Sequence, residues 1–181
     1  MVYVFLAEGF EELEALAPVD ILRRGGVDVK TAGIKGKTVT GAHGIPVTAD
    51  INILEITDFS EIEAVMLPGG MPGTVNLEKD ETLSAIIDYC YENGKILSAI
   101  CAAPSILGHK GFLKGKKATC FDGFEKDLIG AETVNSPVVT DGNIITAFGA
   151  GAAFQFGFKI LEALKGTEKS ENIRKSMKFG V

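Results

Sequence analysis

Cys101 combines a nucleophilic side chain with a position that should expose it. The apolar run at residues 95–100 predicts a buried strand, and residues 102–107 predict the start of a helix, so Cys101 falls at the junction between them. A sharp strand-to-helix turn projects a nucleophile from the carboxyl edge of a sheet. The helix N-terminus favours negative charge there, so we expect a thiol pKa below the value of about 8.5 for free cysteine. These features favour a reactive thiol over a buried apolar sulfur, the usual role of free cysteine.

Main-chain donors for an oxyanion could come from two glycines and one alanine near this thiol. Gly69 and Gly70 follow the apolar run at residues 64–67. Glycine lets the main chain approach a ligand closely and aim an N–H group at it. Together with the N–H of Ala102, such a donor would form an oxyanion hole. The alternative is that the glycines only end a strand, and the two roles are compatible.

An acid–base partner for the thiol must be a carboxylate or a histidine. Three glutamates open the predicted helix at residues 11–24: Glu11, Glu12 and Glu14. Carboxylates are favoured in a first helical turn even when solvent surrounds them, and the helical periodicity singles out none of the three. His109 lies about 12 Å along a helix from Cys101, out of reach. Because no histidine follows His109, a glutamine-amidotransferase triad is excluded.

The elements that must position these residues alternate between strands and helices. Strands are predicted at residues 2–7, 27–32, 64–67 and 95–100, hairpins at 37–49 and 138–146, and helices at 11–24, 81–92, 152–164 and from 168. This alternation predicts an α/β fold, a parallel sheet covered by helices on both faces. Sites in such sheets lie outside the carboxyl ends of the strands, so residues 7–9, 68–71 and 99–101 should meet there.

Composition narrows the class of protein. The 181 residues fit one domain, and a net charge of -6 argues against a nucleic-acid partner. No apolar run approaches the roughly 20 residues that span a bilayer, and the N-terminus lacks the basic stretch of a signal peptide. Three scattered cysteines are too few for a disulfide framework or a metal site. We therefore expect a cytoplasmic protein without metal or membrane association.

Several stretches together resemble the ThiJ/PfpI superfamily, and more closely its branch of parkinsonism-associated deglycase-like proteins. They are residues 6–14, 18–24, 67–70, 99–104 and 154–166. The resemblance covers essentially the whole chain. It implies one domain over residues 1–181, a flavodoxin-like three-layer sandwich with a mostly parallel central sheet, a homodimer, and no cofactor.

The resemblance also assigns roles to individual residues. Cys101 matches the nucleophilic, oxidation-prone cysteine of the family, and Glu14 matches the carboxylic acid that hydrogen-bonds its sulfur. Gly70 and Ala102 match the main-chain donors of the anion pocket. The protease-like branch has histidine directly after the cysteine, where this chain has Ala102. Peptidase activity is therefore disfavoured.

Two positions depart from the pattern of some members. Phe121 stands where those members have a histidine near the cysteine, so proton transfer would fall to Glu14 alone. His43 stands in the first hairpin where others have arginine. By resemblance, Asp20 and His43 are a candidate pair across the dimer interface, in which the carboxylate would raise the pKa of His43.

The leading hypothesis is a cofactor-independent enzyme of stress defence that acts on α-oxoaldehydes such as methylglyoxal, or on their thiol and amine adducts. Cys101 would attack the aldehyde carbon, Glu14 would move protons, and Gly70 and Ala102 would hold the oxyanion. The alternative is an oxidative-stress sensor or chaperone-like protein in which Cys101 is oxidised to a sulfinate.

Overall fold

Strands and helices alternate along the chain in the computed structural model, which describes residues 1–180. The strands are β1 (Val2–Leu6), β2 (Val29–Gly33), β3 (Thr38–Thr40), β4 (Pro46–Thr48), β5 (Ile51–Asn52), β6 (Ala64–Leu67), β7 (Ile96–Ile100), β8 (Lys117–Ala118), β9 (Glu132–Thr133), β10 (Val138–Asp141) and β11 (Ile144–Ala147). The helices are α1 (Glu12–Arg24), α2 (Gly73–Glu78), α3 (Glu81–Glu92), α4 (Pro104–His109), α5 (Ala153–Lys165) and α6 (Thr167–Ser176). Short 3-10 helices lie at residues 53–55, 125–127 and 150–152.

The central sheet has seven strands in the order β10-β11-β7-β6-β1-β2-β5. Its pairs are parallel except for β10 and β11, which form an antiparallel hairpin with Gly142 and Asn143 as its loop. Gly142 favours such a tight turn because it adopts a φ of +62° without steric cost. The strands β3 and β4 form a separate antiparallel hairpin. The predicted mostly parallel sheet is confirmed.

Each face of the sheet carries one layer of helices. In β1, the side chains of Val2, Val4 and Leu6 pack on the layer that contains α1 and α5. The side chains of Tyr3 and Phe5 point to the opposite layer, which contains α3 and α4. Both faces of the strand are buried, which explains its continuous apolar sequence. The arrangement is the flavodoxin-like three-layer sandwich that the sequence predicted.

Helix α1 is held close to α5 by a glycine. A Cβ atom built on Gly157 would lie 2.9 Å from both the Cα of Pro18 and the Cδ1 of Ile21. Any larger residue would therefore push the two helices apart. Because α1 also carries Glu14, this contact fixes the depth at which that carboxyl group enters the molecule.

Two helices differ from the sequence prediction, and the short strands β5, β8 and β9 were not predicted. The helix after Cys101 begins at Pro104 rather than Ala102, and residues 101–103 form a turn. Proline has no N–H to pair and a fixed φ, so it favours the first helical position. Helix α2 was not predicted, because its Gly73 and the preceding Pro72 are typical of loops. Among residues 1–180, no helix is long and apolar enough to cross a membrane.

Candidate active site

Cys101 sits in a strained turn at the carboxyl end of β7. Its φ angle is +66°, a region that non-glycine residues seldom adopt and that is enriched at functional sites. Its main chain is held on both sides, since its N–H donates to the carbonyl of Ala147 at 2.9 Å and its carbonyl accepts from the N–H of Phe121 at 2.8 Å. Cys101 is partly exposed, whereas Cys90 and Cys120 are buried. The turn thus presents one sulfur to the sheet edge.

The three strand-end stretches meet at this edge, as the sequence predicted. A Cβ atom on Gly69 would lie 2.6 Å from the Cβ of Cys101 and 2.7 Å from Oε2 of Glu14. A Cβ atom on Gly70, whose φ is +86°, would lie 2.6 Å from the carbonyl oxygen of Gly9. Only glycine fits at these two positions, because a side chain would occupy the space of the loop and of the candidate catalytic groups.

Glu14 is fully buried beside Cys101, with 1% of its surface exposed. Its Oε2 accepts a hydrogen bond from the N–H of Gly69 at 2.8 Å, and its carboxyl group is hydrogen-bonded to the Cys101 sulfur. The N–H groups of Gly70 and Ala102 also hydrogen-bond that sulfur. The structure therefore brings together the four residues that the family resemblance assigned to the site.

Burial changes the acidity of both groups. It raises the pKa of Glu14 to about 7, although hydrogen bonds from Cys101 and Gly69 oppose the change. Burial and the Glu14 carboxylate together raise the pKa of the Cys101 thiol to about 12. A second negative charge next to the first is costly in this dry setting. The pair therefore loses one proton near neutral pH and holds the other firmly.

The prediction of a lowered thiol pKa was wrong. Helix α4 begins three residues after Cys101 and has only six residues, so its dipole is weak at the sulfur. The N–H groups of Ala102 and Gly70 do lower the pKa, but burial and the Glu14 charge outweigh them. The sequence could not show this balance, because the depth of Glu14 depends on how α1 packs on the sheet.

Asp20 and His43 each have a partner within the same chain. The guanidinium Nε of Arg24 lies 2.6 Å from a carboxylate oxygen of Asp20, one turn away on α1. The Nδ1 atom of His43 lies 3.0 Å from Oε2 of Glu12 and 3.2 Å from Oε2 of Glu11. The cross-subunit pair of Asp20 and His43 stays a prediction.

Glu12 anchors the β3-β4 hairpin, a role that the sequence did not reveal. Its Oε1 accepts the N–H of His43 at 2.9 Å, and a Cβ atom on Gly41 would overlap this carboxylate. The ligand atoms of Glu11, Glu12 and His43 lie within 4.8 Å of one another, the spacing of a metal site. Because the Glu12 carboxylate is already bound to the hairpin main chain, the cluster is explained by its anchoring role.

The pKa of His43 can be used to test the contact between Glu12 and the β3-β4 hairpin. Its hydrogen bond and the charges of Glu11 and Glu12 raise the pKa of His43 above the ordinary value. We expect Glu12→Gln to lower that pKa, measured by NMR titration of the imidazole. Asp20→Asn is the control. Within one chain Asp20 pairs with Arg24, so this variant should leave the His43 pKa unchanged. A drop in the His43 pKa in Asp20→Asn instead would support the cross-subunit pair.

An open cleft of about 290 Å³ lies beside the cysteine turn and is lined by Phe121, Asp122, Asn135 and Phe148. Half of the Phe121 surface is exposed. The sequence drew attention to Phe121 only as the position of an absent histidine. It gave no signal for Asn135 or Phe148, because only the fold brings the segment around β10 and β11 next to residue 121.

Comparison with known proteins identifies the family. The DJ-1/PfpI family profile matches residues 1–163. Protein DJ-1 homolog B of Arabidopsis thaliana is 38% identical over 175 residues, which are 95% of this chain and 40% of that protein. The chain thus spans about two fifths of the length of this relative. Deglycase TK1284 of Thermococcus kodakarensis is 34% identical over 91% of this chain and 99% of its own.

A solved structure agrees over nearly the full length. A cysteine-to-alanine mutant of a DJ-1 superfamily protein from Salmonella typhimurium superposes with a TM-score of 0.93 at 33% identity, covering 99% of this chain and 98% of the other. The similarity in sequence and in fold extends over the strands and helices that build the cysteine turn. The chain therefore belongs to the DJ-1/PfpI family and, within it, to the DJ-1-like branch.

Proposed function

We propose that this protein is a cofactor-independent cysteine enzyme that converts α-oxoaldehydes such as methylglyoxal, free or as thiol and amine adducts, into 2-hydroxy acids. The observation that carries the proposal is the buried contact of Glu14 with the Cys101 sulfur, together with the Glu14 pKa of about 7. A carboxyl group of that pKa can both accept and return a proton at neutral pH. The deglycase-named relative supports an enzymatic role.

The first step forms a bond between the Cys101 sulfur and the aldehyde carbon C1. When the pair holds one proton, that proton lies on the Cys101 sulfur, because the thiol has the higher pKa. The Glu14 carboxylate takes this proton as the sulfur attacks C1 and then gives it to the oxygen that was the aldehyde carbonyl, which leaves a hemithioacetal and a carboxylate. The N–H groups of Gly70 and Ala102 are placed to stabilise the negative charge that develops.

The second step moves a proton between neighbouring carbons. The Glu14 carboxylate removes the proton from C1, and the C1 hydroxyl proton passes to the C2 oxygen. Glu14 then returns its proton to C2, so that C1 is oxidised and the C2 ketone is reduced to an alcohol. The product is a thioester of Cys101. Water then attacks the thioester, releases lactate and restores the thiol, so the overall change is addition of one water molecule to methylglyoxal and needs no outside oxidant or reductant.

Lactate production tests the proposal. The purified protein is incubated with methylglyoxal without added cofactor, and lactate is measured enzymatically against a heat-denatured sample. We expect lactate to accumulate in proportion to active protein. Absence of lactate, together with selective modification of Cys101 by peroxide, would refute the proposal in favour of its rival.

The rival function is an oxidative-stress sensor or chaperone-like protein. It is favoured by the exposure of Cys101 alone among the three cysteines and by the two N–H groups at its sulfur, which could hold a sulfinate oxygen. Oxidation would remove the nucleophile, so the same residue could not serve both functions at once. Peptide mass spectrometry after dilute peroxide measures this oxidation.

We propose a homodimer that joins α1 and the β3-β4 hairpin of two chains, and a cytoplasmic location, where a free thiol stays reduced. Apolar side chains are exposed on these elements at Leu13 of α1 (58%) and at Ile45 between β3 and β4 (52%). Burying such side chains against a second copy removes apolar surface from water, which stabilises association.

Leu13→Glu should convert the dimer to a monomer, because it places a charge at the centre of this apolar face. Light scattering at micromolar concentration measures the mass. Leu54→Glu is the matched control, since Leu54 is 71% exposed on the 3-10 helix after β5. A monomeric parent protein, or a Leu13→Glu variant that remains a dimer, would contradict the proposed interface.

A further inference from the structure

Two adjoining clefts form one groove next to the cysteine turn. The cleft of about 290 Å³ shares Asp122, Asn135 and Phe148 with a second cleft of about 270 Å³. The second cleft continues past Glu125 and the thiol of Cys120. We call the combined space the acidic groove and define it by Phe121, Asp122, Glu125, Asn135 and Phe148.

Two residues that line the acidic groove adjoin the main chain of the cysteine turn. Phe121 donates its N–H to the Cys101 carbonyl at 2.8 Å. Phe148 directly follows Ala147, whose carbonyl accepts the Cys101 N–H at 2.9 Å. Cys101 itself lines neither cleft, so the groove neighbours the turn and does not enclose the sulfur.

The charge of the groove has one sign. Among the described residues that line it, Asp122 and Glu125 are acidic and none is lysine or arginine. These negative charges also affect the buried thiol of Cys120. Burial, together with the carboxylates of Glu125, Asp122 and Asp127, raises its pKa to about 11. The aromatic faces of Phe121 and Phe148 add a surface on which cations bind favourably.

We propose that the acidic groove is a substrate-selecting subsite that prefers adducts whose thiol or amine part carries a positive charge and disfavours those with a negative charge. The inference rests on the proposed function and names the class of adduct that this function would process. The carboxylates of Asp122 and Glu125 would attract the cation, and the two phenylalanine rings would pack against its carbon atoms.

A thiol adduct must release its thiol before Cys101 can bind C1, and the released thiol needs space within the site. In the hemithioacetal of methylglyoxal, the C1–sulfur bond breaks, the hydroxyl proton passes to the departing sulfur, and aldehyde and thiol result. The Cys101 sulfur then forms its own bond to C1. The departing thiol must lie close to Cys101 during this exchange, and the acidic groove, next to the cysteine turn, is the space that we assign to it.

Three small thiols that differ in charge test the inference. Thiocholine, whose quaternary ammonium cannot condense with the aldehyde, gives a cationic adduct with methylglyoxal, 2-mercaptoethanol a neutral one and 3-mercaptopropionate an anionic one. Lactate production is measured for each at equal concentrations of adduct and of free methylglyoxal. We expect kcat/KM for the cationic adduct to exceed that for the anionic adduct by about tenfold at low ionic strength, and the ratio to shrink at high salt.

Variants of the two carboxylates test whether the acidic groove causes the preference for cationic adducts. Asp122→Asn and Glu125→Gln should each reduce the cation-to-anion ratio, and the double variant should bring it close to one. Glutamine at 125 can still accept the hydrogen bond that Gly123 donates to Glu125. Glu92→Gln is the matched control and should leave the ratio unchanged. Glu92 ends α3 shortly before β7 begins, whereas Cys101 follows the other end of that strand.

The outcomes separate this inference from the function on which it rests. Turnover of the neutral adduct with equal rates for the cationic and anionic adducts would refute the subsite while keeping the enzyme. Rates that depend only on free methylglyoxal would also refute it. Failure to turn over any adduct or free methylglyoxal would refute the proposed function itself.

Discussion

Replacing Cys101 with alanine is expected to reduce lactate production from methylglyoxal by about a thousandfold or more, because the variant has no sulfur to attack the aldehyde carbon. Cys90→Ala is the matched control. Cys90 is buried in the core on α3, so this variant should lose stability but keep its rate per folded molecule. Circular dichroism establishes that each variant is folded, and the lactate assay gives the rate.

Two results would contradict the role of Cys101 as the nucleophile. A folded Cys101→Ala variant that keeps more than a tenth of the parent rate would show that another group performs the chemistry. Equal losses in Cys101→Ala and Cys90→Ala would show that the assay follows stability rather than a nucleophile.

Glu14→Gln is expected to lower the lactate rate by about a hundredfold, since a glutamine amide cannot accept and return a proton. The same variant should make the thiol easier to alkylate. The Glu14 carboxylate raises the pKa of Cys101, so its removal lowers that pKa and increases the thiolate fraction at a given pH. Iodoacetamide labelling and the lactate assay on the same preparation measure the two effects.

A loss of turnover with a gain in thiol reactivity distinguishes a proton carrier from a residue that only supports the fold. Unfolding would expose all three cysteines to iodoacetamide, so labelling restricted to Cys101 is the control. A Glu14→Gln variant with the parent lactate rate, or with slower labelling of Cys101, would contradict the role proposed for Glu14.

The pH dependence follows from the same pair. Below pH 7 both groups are protonated, so the thiol lacks a base. As pH rises through the Glu14 pKa of about 7, the pair loses its first proton and becomes competent, and kcat/KM should rise to a plateau. In Glu14→Gln this midpoint should disappear. A parent profile that falls as pH rises through 7 would contradict the assignment.

Much of the fold could be predicted because local and global signals agree. The run Ala64–Leu67 is apolar on both faces and ends at Pro68, and the structure has a buried strand with those bounds. Helix α3 begins after Asp80, whose side chain caps the N–H of Leu83, and it has the predicted bounds Glu81–Glu92. Such segments carry their own start and stop signals.

The electrostatics of the site could not be predicted in this way. The sequence places Glu11, Glu12 and Glu14 close together at the start of α1, and only the contacts that each makes in the fold separate their roles. Glu12 binds the hairpin and Glu14 reaches the cysteine, because α1 packs with one side toward β6 and another toward the β3-β4 hairpin. Family resemblance selected Glu14 where helical periodicity could not.

The central claim is that Cys101 forms a covalent bond to the oxoaldehyde and that Glu14 moves the protons that convert this intermediate to product. The most direct measurement is carbon-13 NMR of Glu14→Gln mixed with methylglyoxal labelled at C1, which observes a reversible hemithioacetal without isolating it. We expect a signal from a C1 carbon bonded to sulfur in Glu14→Gln, stronger than in the parent protein and absent when Cys101 is also replaced by alanine. Signals from adducts of lysine and arginine side chains alone, unchanged by loss of Cys101, would contradict the claim.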